Sequence, residues 1–138
     1  MIKRVFIDTD VVLDVALARE PFFSGSKTIL AMAETNVIIG KISSNCIANI
    51  YYILRKSGGD INTRKFISNI TKYITVITID HQNVLEALKS NFSDFEDALQ
   101  YYSAVVNQCE YIVTRNIQDY KNSKLIVHTP EEFIRMYQ

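Results

Sequence analysis

The chain has 138 residues, 48% hydrophobic and 22% charged, and its fifteen lysines and arginines balance fifteen aspartates and glutamates. That length suits one domain, residues 1–138, burying roughly 68–70% of its unfolded surface without disulfide or zinc staples. The composition excludes a disordered tail and a collagen-like rod. The zero net charge excludes a uniformly basic coat for nucleic acid but allows a local basic face.

In chain order, Val5–Ile7 is the first β-branched and aromatic run, and it ends at Asp8. Asp10 follows where a first helix needs an N-cap. Val37–Ile39 is the second run, and Ser43 or Ser44 opens a helix whose Ile47, Ile50, Tyr51 and Leu54 share one face. Gly58-Gly59 breaks that pattern and predicts two helices before the third run, Tyr73–Ile79. Asp80 starts a helix bearing Leu85 and Leu88. Ser93-Asp94-Phe95-Glu96 reads as a capping box for a helix bearing Ala98, Tyr101, Tyr102 and Val105. Tyr111–Val113 and Leu125–Val127 are the last runs, and Thr129-Pro130-Glu131-Glu132 caps a closing helix. The runs are apolar throughout rather than alternating, so both faces of each strand should be covered. An α/β fold follows: an αβα sandwich around a parallel sheet of about five strands.

Ligands of such sheets bind beyond the carboxyl ends of the strands. Asp8 stands at one such end, and Thr114, Arg115, Asn116 and Asp119 follow another. The helix opened by Asp94, Glu96 and Asp97 should start at the same rim. Carboxylates gathered there repel one another unless a hard cation neutralises them, which points to Mg²⁺ or Mn²⁺. Plainer roles stand beside this one. Asp10 reads equally as a helix cap, Glu96 as the capping-box acid, and Asp94 and Asp97 as partners of the helix dipole. Asp8 has no capping duty expected at a strand end, and a lone Asp119 would be an ordinary loop acid.

The remaining coarse signals are negative. Cys46 and Cys109 lack any CxxC or histidine-rich neighbourhood and read as buried thiols of a reducing compartment. MIKRVFIDTD reaches Asp8 before an apolar stretch of signal-peptide length, and no run approaches the ~18 apolar residues of a membrane span. A soluble cytoplasmic protein, with no membrane association, is expected. A glycine-rich phosphate loop is missing. Neither His81 nor His128 is expected at a strand's carboxyl end, so no histidine base is expected.

Taken as an ordered set, these motifs resemble a PIN domain over essentially the whole chain. Asp8 after an apolar strand, with Asp14 six residues on, looks like that family's opening. Asp97-Ala98-Leu99, Ala104, the segment CEYIVTRNIQD with Tyr120, and the closing Thr129-Pro130-Glu131-Glu132-Phe133 are similar to its second half. The resemblance implies a metal-dependent ribonuclease, commonly a toxin restrained by a small antitoxin protein. It makes Asp8, Asp97 and Asp119 the catalytic, metal-binding acids. Asn49 and Asn116 match positions often acidic in the family; neutral amides there weaken the field on a cation, and Asp94 or Glu96 would compensate. Thr114 and Asn116 would hydrogen-bond a phosphate or a metal-bound water.

Residues 41–75 carry Lys41, Arg55, Lys56, Arg64, Lys65 and Lys72 against the single acid Asp60. Arg55, Lys56, Arg64 and Lys65 are the RNA-contact candidates, although solvated helix faces account for such charges in most proteins. Two other functions remain open. Asp8-Thr9-Asp10 also looks like the first motif of haloacid-dehalogenase-type phosphatases, with Asp8 as nucleophile and Asp10 as acid. That family's later motifs are missing. The other is a module that binds nucleic acid or protein without cutting; eight tyrosines and seven phenylalanines leave room for a homodimer or antitoxin face.

Overall fold

The computed structural model describes residues 1–137. β1 (Lys3–Ile7) is followed by helices α1 (Thr9–Ala16) and α2 (Phe23–Glu34), then β2 (Ile38–Ser43), α3 (Ser44–Ile70) and β3 (Ile74–Ile77). The second half runs α4 (His81–Lys89), α5 (Phe95–Val106), β4 (Tyr111–Val113), a 3₁₀ turn (Ile117–Tyr120), β5 (Ile126–His128) and α6 (Pro130–Arg135). All five strands pair in parallel in the order β3-β2-β1-β4-β5. β1 is central, and its Val5, Phe6 and Ile7 are fully buried.

β2 shows how one strand serves two layers. Gly40 lies so close to α2 that an added Cβ would sit 3.2 Å from that of Ala33 and 3.1 Å from Ile7 Cδ1. Its neighbour Lys41 donates to the Asn107 carbonyl at the end of α5, 2.9 Å away, and Ser43 bonds Gln100 of α5. Alternate residues thus meet helices on opposite faces, as period-two side chains must. The α1–α2–α3 group, with α6 on α2, covers one face, and the α4–α5 pair covers the other.

All five expected strands are present, but only Tyr111–Val113 keeps its expected bounds: β1 begins two residues earlier, at Lys3, and β5 ends one residue later, at His128. The second strand starts at Ile38 and runs on to Ser43, because Gly40 and Lys41 interrupt the apolar run without interrupting pairing. The third stops at Ile77; the Thr78 carbonyl bonds the Ser103 hydroxyl at 2.9 Å instead. Ser43, Asp80 and Thr129 are N-caps as expected. The α5 cap is Asp94 rather than Ser93, so Asp97 and not Glu96 occupies the third helical position, and Glu96 closes no capping box. Helix α3 continues past Gly58 but kinks at Gly59, whose φ of 79° and ψ of 170° are non-helical.

Candidate active site

Strand order reverses between β1 and β4, since the chain builds β2 and β3 to one side and then returns to build β4 and β5 on the other. At that switch point the chains leaving two adjacent parallel strands diverge and open a crevice. Asp8 leaves β1 there, its amide still bonded to the Val113 carbonyl of β4 at 3.0 Å.

Asp8 does have a capping duty, contrary to expectation. It is the N-cap of α1, with Oδ1 accepting from the Thr9 amide at 2.8 Å. The helix begins directly at the strand end, so one carboxylate serves both. Asp8 Oδ2 accepts from the Thr114 hydroxyl at 2.9 Å and the Tyr120 hydroxyl at 3.3 Å. Burial pushes the Asp8 carboxyl up, the hydroxyls and the Thr9 amide oppose that, and the charge of Asp119 adds to it.

Asp10, not the cap, lies in the first turn of α1. Its Oδ2 accepts from Asn116 Nδ2 at 3.2 Å, and its buried Oδ1 has no partner. Burial, then the charge of Asp8, pushes its carboxyl up to about 7. Asp97 faces the same group from α5. Its carboxyl is also pushed up to about 7, first by burial and then by Asp8, Asp94, Asp119 and Glu96. The three acid-bearing segments therefore do feel one another across the rim.

The supporting residues divide. Thr114 is fully buried and holds Asp8, while its hydroxyl also accepts from the Asn116 amide at 3.1 Å. Asp94 is engaged in capping α5. Asn49, in the second turn of α3, donates from Nδ2 to Glu96 Oε1 at 2.9 Å and so ties α3 to the start of α5. Asp119 lies half-buried in the 3₁₀ turn.

The RNA-contact candidates lie farther along α3. Arg55 is six residues beyond Asn49, about 9 Å along the helix axis, and Arg64 and Lys65 follow the kink. Arg64 is held by Asp60 at 2.9 and 3.0 Å, with the Tyr51 hydroxyl on the same carboxylate. Lys56 and Arg55 lie over the Tyr52 ring, 4.4 and 5.8 Å from its centroid. Lys65 is exposed.

Two residues of weight around the site were not singled out as functional, Asp14 and Tyr120. Asp14, fully buried on α1, pairs with Arg115 Nε at 2.9 Å and Arg19 Nη1 at 3.8 Å. Tyr120 is buried beneath Asp8. The family resemblance pointed to both Asp14 and Tyr120 without giving either a role, and no local pattern signals that Asp14 pairs with Arg115. His128 does end a strand, contrary to expectation. Its ring packs against Tyr111 and Phe133, 6.0 and 6.3 Å between centroids, so it belongs to the aromatic cluster under α6. Cys46 and Cys109 are buried and unpaired, and burial pushes their thiols up to about 12 and about 11.

Among the described residues no three His, Cys, Asp or Glu side chains form a closed ligand group for a metal. The side chains of Asp8, Asp97 and Asp119 offer only oxygen donors, and the buried Asp10 Oδ1 beside them has no partner. The residues present fit a hard divalent cation.

Comparison with known proteins agrees with the fold. The chain is 27% identical to "Ribonuclease VapC1" of Aquifex aeolicus (strain VF5), covering 95% of this chain and 93% of that protein. A toxin–antitoxin complex from Klebsiella pneumoniae superposes with a TM-score of 0.69 at 23% identity, over 91% of this chain and 97% of that one. VapBC2 from Rickettsia felis, bound to a DNA fragment from its promoter, superposes at 0.66 and 15% identity, over 91% and 98%. The model of the PIN domain matches residues 4–118. With its five-stranded parallel sheet and an acidic crevice at the switch point, the chain belongs to the PIN-domain family.

Proposed function

We propose that the chain is a divalent-metal-dependent endoribonuclease, the toxin of a toxin–antitoxin pair, which hydrolyses RNA phosphodiester bonds. The observation that carries the reading is geometric: Asp8 stands at the switch point with the Thr114 and Tyr120 hydroxyls on its carboxylate, and beside it the buried Asp10 Oδ1 has no partner. The ribonuclease name of the Aquifex relative and the complexes among the structural neighbours support the activity and a small protein partner.

Asp8, Asp97 and Asp119 would hold Mg²⁺ or Mn²⁺, which when bound lowers the pKa of a water and stabilises charge on a leaving oxygen. The chain's own residues do the positioning. Thr9, Thr114 and Tyr120 fix both oxygens of Asp8. Asn116, whose Nδ2 keeps a second proton beyond the one on Asp10, is the donor to a phosphate there, while the one Thr114 hydroxyl proton stays on Asp8. Lys56, Arg55 and Lys65 supply phosphate contacts farther along α3, whereas Arg64 is already spent on Asp60. Among the described residues no helix is long and apolar enough to cross a membrane.

Purified protein should cleave RNA with Mn²⁺ and stop on addition of EDTA, and Asp8→Asn or Asp97→Asn should each abolish cleavage. Metal-independent cleavage, or cleavage that survives both substitutions, overturns the reading. One observation favours a second reading, a PIN-like module that binds without cutting. Asn49 is neutral and is bonded to Glu96, so it adds no charge to the cation field. Tight RNA binding indifferent to EDTA and to Asp8→Asn would select it. Family membership leaves the dehalogenase-type phosphatase without support; an acyl-phosphate on Asp8 would restore it.

A further inference from the structure

Arg115 lies between two residues that reach the acids. Before it, Thr114 donates to Asp8 Oδ2 at 2.9 Å. After it, Asn116 donates to Asp10 Oδ2 at 3.2 Å and accepts the Asp119 amide on its carbonyl at 3.0 Å. Arg115 itself reaches Asp14: its Nε is 2.9 Å from Asp14 Oδ2, and its guanidinium carbon is 4.1 Å from the centroid of Phe22. Asp14 is wholly buried on α1 and also takes the Ser26 hydroxyl of α2 at 3.3 Å. One side chain therefore ties the segment after β4 to α1, to α2 and to the loop between them.

We infer that the Asp14–Arg115 pair is a positioning device, which fixes residues 114–119 so that Thr114, Asn116 and Asp119 face Asp8, Asp10 and Asp97. A buried ion pair adds little stability over apolar residues of similar size. What it adds is direction, and a planar guanidinium pairs and stacks at once where an ammonium cannot. The segment's other polar side-chain ties, from Thr114, Asn116 and Tyr120, all end on the site acids Asp8 and Asp10. Arg115 is thus the polar side chain that fixes it to the scaffold behind them, next to a strand of three residues and a 3₁₀ turn of four. Displacing a positioned group by about 1 Å costs about a hundredfold in rate. The catalytic consequence rests on the nuclease reading; the anchoring does not.

The test is the double variant Asp14→Leu/Arg115→Met, which removes the pair without leaving a buried charge alone. It should melt near the wild-type temperature while kcat falls about a hundredfold, with KM for RNA within about twofold. Amide hydrogen exchange over residues 114–120 should rise about tenfold, with β1 and α5 unchanged. Arg115→Lys, which keeps the charge without the planar stack, should recover part of the turnover. Recovered stability with lost turnover separates positioning from support. Wild-type exchange over 114–120 in the double variant overturns the inference. If the wild-type protein cuts no RNA, the nuclease reading fails, and the exchange measurement still decides the anchor. If the double variant does not fold, Phe22→Leu removes the stack alone and must loosen the same segment; unchanged exchange there is equally fatal.

Discussion

The carboxylate of Asp8 ends a strand, starts a helix and takes two hydroxyls, so its substitutions separate charge from structure. Asparagine caps as well as aspartate, and it removes the repulsion with Asp97. Asp8→Asn should therefore lose cleavage while its melting temperature stays or rises; Asp8→Ala should lose cleavage and about 1 kcal/mol of stability as well, both readable by thermal melts. The pH dependence has a defined sign. Asp10 and Asp97 carry carboxyls at about 7 in the fold against an ordinary 3.8, so the native state holds those protons more tightly than the unfolded chain. That contribution favours folding at low pH and is lost as pH rises through 7. Protein in EDTA should melt at a higher temperature at pH 5 than at pH 8, and a flat or opposite profile would contradict the crowding of these acids. Arg115→Met alone leaves Asp14 with only the distant Arg19 and should cost about 3 kcal/mol in urea unfolding, which the added Asp14→Leu should return.

At the scale of elements, the kink in α3 separates two adjacent glycines. Gly59 sits at φ 79° and ψ 170°, a conformation essentially reserved for glycine, whereas a Cβ on Gly58 would meet only Asn62 Cβ at 3.9 Å. Gly59→Ala should cost about 1–3 kcal/mol, and Gly58→Ala should be neutral or stabilising by up to about 1 kcal/mol. Equal effects would mean that the kink is not a fixed feature. The same helix shows what was legible beforehand. The Gly58-Gly59 break, the Ser43 cap and the five apolar runs are local signals, and each lies where its chemistry put it. The α5 cap slipped by one residue because Ser93 and Asp94 are both good caps and only the chain's entry angle chooses. The Asn49–Glu96 bond spans 47 residues and the Asp8–Thr114 bond 106, and no local pattern encodes either. Asp8 was missed as a cap because strand end and helix start were read as separate places.

Across the whole molecule, zero net charge hides a division: acids gather at the switch point while cations lie along α3. RNA affinity should thus fall steeply with salt, as fluorescence anisotropy would show. A salt-indifferent affinity would remove Arg55, Lys56 and Lys65 from the RNA face. The strand order carries a further consequence, in time rather than space. The crevice needs β1, made first, and β4, which comes only after residue 110. A chain still being synthesised carries Asp8 and then Asp97 long before it has Thr114, Tyr120 or Asp119 to complete their surroundings. The acid crevice is assembled late, and so a product of translation cut short after residue 97 and before residue 114 carries Asp8 and Asp97 without the hydroxyls that hold Asp8.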